Sequence, residues 1–454
     1  MSINAANSSV TRLLYRAPYC NVIMMARLSG DVKSEPLDSA LKKVRMKYPL
    51  LNSRIQQDSN GGIEFLYDYS QELPIIVKKK NTDTDWIEAG WNEQKKPFDM
   101  QNGPLIKFLL LNSADASDLV IICHHCICDG LSLAYLVKDI AYFLSNPEAE
   151  VTPLPLPPPL SIENLSVRVR PGIIGKLTGF LARFLNRSWS KGKVVFTEHD
   201  YQQLYDEYWE AKDIGLLAFS IPKDITAMLI EKCRAEQVTV NSALTTAFSI
   251  AQHDLQGDGE PYLKKALLAI NIRHLFKEPP GENFGLLAVG NEITLPSGKD
   301  GFWDVAARFN SDIKEMLADP KKYLAMISPL DSVEPTLLDA IYFAESGHLQ
   351  NKTATRLKNI VLSKTGKPKR SLDITNLGVV KDHDDNLKTI FFLPILSTNY
   401  EKTFGIVTIN GEINIVLMHD RSVIESDIID EYKQRIMRYI EEMASENRYN
   451  GESL

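Results

Sequence analysis

His124-His125-Cys126-Ile127-Cys128-Asp129-Gly130 is the segment of this chain best equipped for chemistry. It closes an apolar run, Leu119-Val120-Ile121-Ile122-Cys123, and precedes a helix-like stretch. Polar side chains at the end of a β-branched strand are costly to bury unless they have partners. An imidazole held there by its neighbours and reachable by substrate is a general base near neutral pH. Side chains alternate along a strand, so Cys123 and His125 share one face and His124 and Cys126 the other, if the strand runs that far. One histidine can then face a cavity while the other packs or hydrogen-bonds behind it. Gly130 permits a tight turn or a close chain approach. Asp129 is near enough in sequence to fold back but need not touch an imidazole.

Three readings of this segment compete. The first is a pair of satisfied core histidines. The second is a metal site, since Cys-His-His-Cys-x-Cys supplies soft ligands. Strand alternation divides those ligands between two faces, and no second Cys/His cluster completes a tetrahedral site, so no metal is expected. The cysteines are then small apolar packing residues. The third, which the doubled histidine with Asp and Gly behind it favours, is general-base catalysis by one ring with the other in support.

The elements that must position this segment read as mixed α and β. Asn21–Leu28 looks like a strand, closed by Ser29-Gly30. Leu37 to Met46 has helical spacing, ended by Pro49. Ile63–Tyr67 and Ile106–Leu111 are further strands, and Leu133, Leu136, Val137, Ile140 and Leu144 form a helical stripe stopped at Asn146-Pro147. The run Pro153-Leu154-Pro155-Leu156-Pro157-Pro158-Pro159 reads as an extended linker. Beyond it, Val167–Lys193 holds Arg168, Arg170, Lys176, Arg183, Arg187, Lys191 and Lys193, with no acidic residue. Ile173, Ile174, Leu177, Phe180, Leu181, Phe184 and Leu185 give it an apolar face. That pattern predicts an amphipathic helix covering the core, with an interfacial lipid contact as the alternative.

The second half is expected to hold strands at Leu216–Ile221 and Ala266–Ile272 and helices at Asp224–Ala235, Ala243–Ala251, Phe302–Leu317 and Ser426–Met443. Gly405–Ile409 and Glu412–Met418 make a hairpin across Asn410-Gly411. One echo stands out: the run Glu412–Met418 leads to His419-Asp420 and then a helix, the order already seen at 119–144. Three regions follow from this pass: 1–160, 161–215 as linker and basic amphipathic segment, and 216–454.

Composition limits the function. With 454 residues, two domains of roughly 200 residues are the prior. Hydrophobic content of 44% and charged content of 24% are ordinary for a globular protein. A net charge of −7 argues against nucleic acid as a partner. Five cysteines without a regular framework fit a reducing compartment. Met1 to Pro18 has no apolar core of a signal peptide, and no run of about eighteen apolar residues occurs. A cytoplasmic location is the expectation.

The string His124-His125-x-x-x-Asp129-Gly130 resembles the HHxxxDG signature of the acyltransferase superfamily of chloramphenicol acetyltransferase, condensation domains, and polyketide-associated and alcohol acyltransferases. Other segments keep the family's order: Tyr48-Pro49-Leu50-Leu51-Asn52-Ser53-Arg54, Pro97-Phe98-Asp99 with Gly103-Pro104-Leu105, Val238–Leu244, Asn271-Ile272-Arg273, Asn283-Phe284-Gly285 and Asn376-Leu377-Gly378. The DFGWG motif of the plant-type branch does not occur. The resemblance implies an α/β (α+β) fold of two chloramphenicol-acetyltransferase-like sandwich halves, a pseudo-dimer with a central channel. It implies His125 as the base and Asp129 as its catalytic-motif partner, mainly structural and paired with Arg273. His124 and Gly130 support the site, and Thr375 is the candidate oxyanion donor.

The expected activity is acyl transfer from a thioester to an alcohol, in secondary or lipid metabolism. The donor is acyl-CoA or the phosphopantetheine of an acyl carrier protein, with no tightly bound cofactor. No adenylation or carrier domain is seen in the chain, so a stand-alone enzyme is expected, and a monomer, because one chain supplies both halves. A free-standing condensation enzyme forming an amide with an amine acceptor remains open. So does a non-catalytic binding protein on the same fold.

Overall fold

The computed structural model describes residues 8–167, 173–257, 259–298, 300–325, 327–362, 368–381 and 386–445, with backbone alone at 173–177 and 328. Thirteen strands lie among these residues. The first six are β1 Asn21–Ser29, β2 Ser53–Gln57, β3 Ile63–Tyr67, β4 Ile75–Lys79, β5 Ile106–Asn112 and β6 Ala116–His124. The others are β7 Ile214–Ile221, β8 Lys265–Asn271, β9 Ala288–Thr294, β10 Arg370–Val379, β11 Leu387–Leu393, β12 Tyr400–Ile409 and β13 Glu412–Asp420.

Two large mixed sheets carry the fold. The first has the order β11-β1-β6-β5-β4 and the second β7-β13-β12-β10-β8-β9; β2 and β3 pair apart from both. β6 lies between β1 and β5 and is buried on both faces, which is why its sequence is a continuous apolar run rather than an alternation. The helix Gly130–Ser145 follows it, and the apolar stripe read from the sequence is its buried side.

β11 crosses from the second half into the first sheet, pairing antiparallel with β1 from Ile23–Leu393 to Leu28–Leu387. Two glycines make room for it. A Cβ on Gly130 would lie 2.9 Å from the Phe392 ring, and one on Gly405 would overlap the Phe392 carbonyl oxygen. The core follows the crossing: Leu387, Ile390, Phe392 and Leu393 pack in one cluster with Ile23, Val120, Ile122 and Leu136.

Two expectations need correction, and a third is narrowed to one of its alternatives. β6 stops at His124, so strand alternation does not extend to His125 and Cys126. Of the two roles open to Gly130, the close chain approach is the one observed: it has no positive φ, and Phe392 crowds the place a Cβ would take. The proline-rich stretch is extended but docked: Leu154 N–H donates to the Lys47 carbonyl at 2.9 Å, Asn283 Nδ2 to the Pro155 carbonyl at 2.6 Å, and Leu160 is buried.

The basic segment forms the helix Ile173–Trp189. Ala182, Leu185 and Trp189 are buried in a cluster with Leu338, Ile341 and Leu357, so one face covers the core, whereas Phe180, Leu181 and Phe184 are exposed. Arg168 and Arg170 lie outside the described residues, as do the side chains of Ile173, Ile174, Lys176 and Leu177. Among the described residues no helix is long and apolar enough to cross a membrane. All five cysteines are buried thiols.

Candidate active site

The site is built where β6 runs out. Asn21 stands opposite His124 in the β1–β6 ladder, and one residue later the His125 N–H donates to the Cys20 carbonyl at 2.7 Å. The chain then turns, with the Ile127 N–H bonded to the His124 carbonyl at 3.1 Å, and enters the helix that begins at Gly130. The two histidines diverge at this point. His124 is wholly buried, edge-on to Phe98, and its Nδ1 accepts from the Cys126 N–H at 3.3 Å. Burial, with the nearby His125 and Arg16 charges, pushes its pKa down to about 3. It is therefore a neutral, fixed wall beneath the turn.

His125 keeps partial solvent contact. Its Nδ1 lies 2.6 Å from the Cys128 carbonyl oxygen. A carbonyl only accepts, so Nδ1 carries the proton and Nε2 of the neutral ring has a free lone pair. Burial lowers the pKa of this ring; the Cys128 bond and the Asp129 charge oppose that, and the net shift is downward. A neutral imidazole at pH 7 with Nδ1 pinned and Nε2 unprotonated has the proton arrangement a general base requires.

Asp129 caps the helix, its Oδ1 accepting from the Ser132 N–H at 2.8 Å. Arg273 grips the same carboxylate with both terminal nitrogens, NH1 to Oδ2 at 2.9 Å and NH2 to Oδ1 at 3.0 Å. The Leu287 N–H adds a third approach at 3.0 Å. Burial alone would raise this carboxyl, but the Arg273 charge and these hydrogen bonds hold it below the ordinary aspartate value. Ser132 extends the network: its Oγ accepts from Arg273 at 2.9 Å and from the Gly285 N–H at 3.0 Å. The motif aspartate thus ties the helix after His125 to two loops of the second half.

Thr375 lies in β10 opposite Gly405 of β12 and is half-buried; among the described residues its hydroxyl makes no hydrogen bond. Its neighbour Leu377 touches the position a Cβ on Gly130 would occupy, at 2.6 Å. Gly285 falls in the segment Asn283-Phe284-Gly285 already singled out, whereas Ser132 and Leu287 lie outside the motif segments. An Asp three residues before a Ser at a helix start is a legible N-cap, whereas the loop amides leave no mark in side-chain chemistry. Among the described residues no cluster of three or more His, Cys, Asp or Glu side chains could hold a metal.

Comparison with known proteins shows what the chain is similar to. A Condensation domain family model matches residues 11–158, which contain the histidine turn. The nonribosomal peptide synthetase kk1B of Curvularia clavata is 25% identical over 251 residues, 51% of this chain and 2% of that protein. Cyclosporin synthetase simA of Tolypocladium inflatum is 25% identical over 268 residues, 54% of this chain and 2% of its own length. The chain thus spans only a small part of these curated relatives. The trichothecene 15-O-acetyltransferase TRI3 from Fusarium sporotrichioides superposes with a TM-score of 0.64 at 12% identity, covering 96% of this chain and 94% of that one. The condensation domain of the monacolin K polyketide synthase MokA gives 0.62 at 10% identity, covering 98% and 96%. The polyketide synthase associated protein 5 of Mycobacterium tuberculosis gives 0.58 at 14%, covering 96% of each. At these identities the likeness is one of fold. The chain carries a condensation-domain pattern in its first half and folds throughout as condensation domains and their acyltransferase relatives do.

Proposed function

We propose that the protein is an acyltransferase moving an acyl group from a thioester to an alcohol. The donor is an acyl-CoA or the phosphopantetheine thioester of an acyl carrier protein. The observation that carries this reading is the bond between His125 Nδ1 and the Cys128 carbonyl, which leaves Nε2 as a proton acceptor. The acceptor hydroxyl attacks the thioester carbonyl while its proton passes to Nε2. The tetrahedral intermediate collapses, the C–S bond breaks, and the imidazolium returns the proton to the departing thiolate. A channel between the halves that holds both substrates supplies proximity without a covalent acyl-enzyme. Thr375 is the candidate donor to the oxyanion. Asp129 and Arg273 act as positioning residues, with His124 and Gly130 supporting the turn.

Formation of an amide on a carrier-bound substrate is the second reading, favoured by the synthetases among the relatives. A binding protein that retains the fold without turnover is the third. Release of free thiol separates them. Acyl-CoA and acyl-carrier donors are each offered alcohol and amine acceptors, with wild type and His125→Ala in parallel. Alcohol-dependent release that falls at least about a hundredfold in His125→Ala is expected. Amine-dependent release selects the second reading, and ligand binding with no release selects the third. A folded His125→Ala protein with undiminished turnover rejects the base assignment.

A lipid contact belongs to the same proposal. Phe180, Leu181 and Phe184 are exposed on a helix that also carries Arg183 and Arg187. Salt-sensitive cosedimentation with anionic vesicles, reduced in Phe180→Ser/Phe184→Ser, is the expected result; no sedimentation with either protein rejects it.

A further inference from the structure

The second sheet opens beside the site. β8 and β10 pair only through Ala266–Leu372, Leu267–Asp373 and Leu268–Ile374. Beyond these residues β8 runs on to Asn271 and β10 to Val379 without pairing to each other, and the register of β10 on β12 shifts between Asn376 and Val379. The parted strand ends border a cleft of about 700 Å³. That is the size of a small-molecule site. Its walls are mostly apolar and include Val240, Ile270, Ile313, Leu317 and Leu377. At the rim Asn376 Nδ2 donates to Asn241 Oδ1 at 3.0 Å.

Three contacts join this cleft to the histidine turn. Leu131, which lines it, directly follows Gly130 in the helix that Asp129 caps. Leu377 is a wall of the cleft and also the side chain that abuts Gly130. Asn271, at its edge, accepts from the Arg273 N–H at 3.1 Å and from the Arg273 guanidinium at 3.3 Å. The cleft therefore shares residues with the Asp129–Arg273 lock while its apolar length runs into the second half.

We infer that this cleft holds the hydrocarbon chain of the acyl donor, so that the protein takes medium or long aliphatic acyl groups; the inference rests on the acyltransferase reading above. The carbonyl end lies toward the Asp129-Gly130 turn and the chain between β8 and β10. Each methylene buried in such a wall strengthens binding about fourfold.

The test uses S-ethyl, S-octyl and S-dodecyl pantetheine, thioethers that bind like a donor but cannot transfer. They are titrated calorimetrically onto the wild-type chain, His125→Ala, Val240→Trp and Leu317→Trp, with circular dichroism to check folding. The dodecyl probe is expected to bind at least about a hundredfold more tightly than the ethyl probe to wild type and to His125→Ala. That ratio should fall at least about tenfold in a tryptophan variant. Leu317 is 41% exposed, so its variant is expected to fold and carries the test where Val240→Trp does not. No measurable binding of any probe, equal affinity for all three, or a ratio that survives both tryptophans overturns the inference. Loss of alcohol affinity with an unchanged ratio overturns it in favour of an acceptor site. Chain-length-dependent binding without thiol release from any donor keeps the cleft and rejects the acyltransferase reading; release without chain-length dependence does the reverse.

Discussion

At the end of β6 the chain leaves the ladder after His124, whereas at the end of β13 His419 stays in it, opposite Gly215 and Lys402. The two positions are otherwise counterparts. β1-β6-β5-β4 and β7-β13-β12-β10 repeat one order, two antiparallel pairs followed by a parallel one. β6 and β13 are each nine residues long and buried from their second residue onward, and each leads to a long helix. The echo in the sequence is a repeat of fold.

The ends differ in what receives the ring. His419 lies so close over Gly215 that a Cβ there would overlap it; its Nδ1 is buried without a partner, and its Nε2 is 3.4 Å from Ser426 Oγ. Asp420 is occupied by Lys212 at 2.6 Å and by the Ser422 N–H at 3.0 Å. In the first half, the turn at 125–128 brings a carbonyl under His125, and β11 crosses beside β1. In the second sheet β7 is an edge, and among the described residues no strand pairs with its outer side. The same strand end thus becomes a poised base in one half and packing in the other, according to the next four residues and a strand from far along the chain.

The sharpest break of this comparison is at the rings. His125→Ala should lower thiol release at least about a hundredfold. His419→Ala should change it less than about threefold, because that ring is packed into the far half; loss of turnover in both variants would end the contrast.

Next come the two aspartates. Removing Arg273 strands a buried carboxylate, so Arg273→Ala should cost about 3–5 kcal/mol in urea unfolding. Asp420 is also buried, 7% exposed, but its partner Lys212 is 22% exposed and the Ser422 N–H still holds the carboxylate, so Lys212→Ala should cost less than Arg273→Ala, about 1–3 kcal/mol. Gly130→Ala, which drives a methyl into Leu377 and Phe392, should cost about 1–3 kcal/mol and also reduce turnover. Gly215→Ala should cost a similar amount of stability and leave turnover largely intact.

The smallest effects are in pH. Folding lowers the pKa of His124 to about 3 and of His419 to about 4, from 6.5. Below the ordinary histidine value the unfolded chain binds these protons and the folded chain does not, so stability falls as the pH drops from 6.5 toward 4. His419→Phe should flatten the slope of unfolding free energy against pH in that window. Turnover should hold through neutral pH and show its acid limb below the ordinary histidine value, since the His125 pKa is lowered.

Much of this follows from residue order. β1, β5, β6 and the β12–β13 hairpin are legible because β-branched runs end at turn residues; Asn410 and Gly411 have φ of 51° and 81°, as the Asn-Gly turn demands. β4 is not legible in the same way, because an edge strand ending in Lys78 and Lys79 shows no apolar alternation. Leu387–Leu393 has strand composition, yet nothing local tells it to leave its own half. The amphipathic pattern of Ile173–Trp189 marks apolar residues but not which of them meet the core, so Leu185 is buried and Phe184 exposed by packing alone.

The site's inventory is legible in the residues themselves: two histidines at a strand end, then an aspartate and a glycine just ahead of a helix-like stretch. Side-chain type and short-range periodicity carry that information. The fold alone settles which ring is buried, which nitrogen holds the proton and which main-chain amides join Arg273 on Asp129. Those depend on the carbonyls of Cys20 and Cys128, the amide of Leu287 and the crossing of β11, and main-chain groups are identical at every residue until the fold aims them.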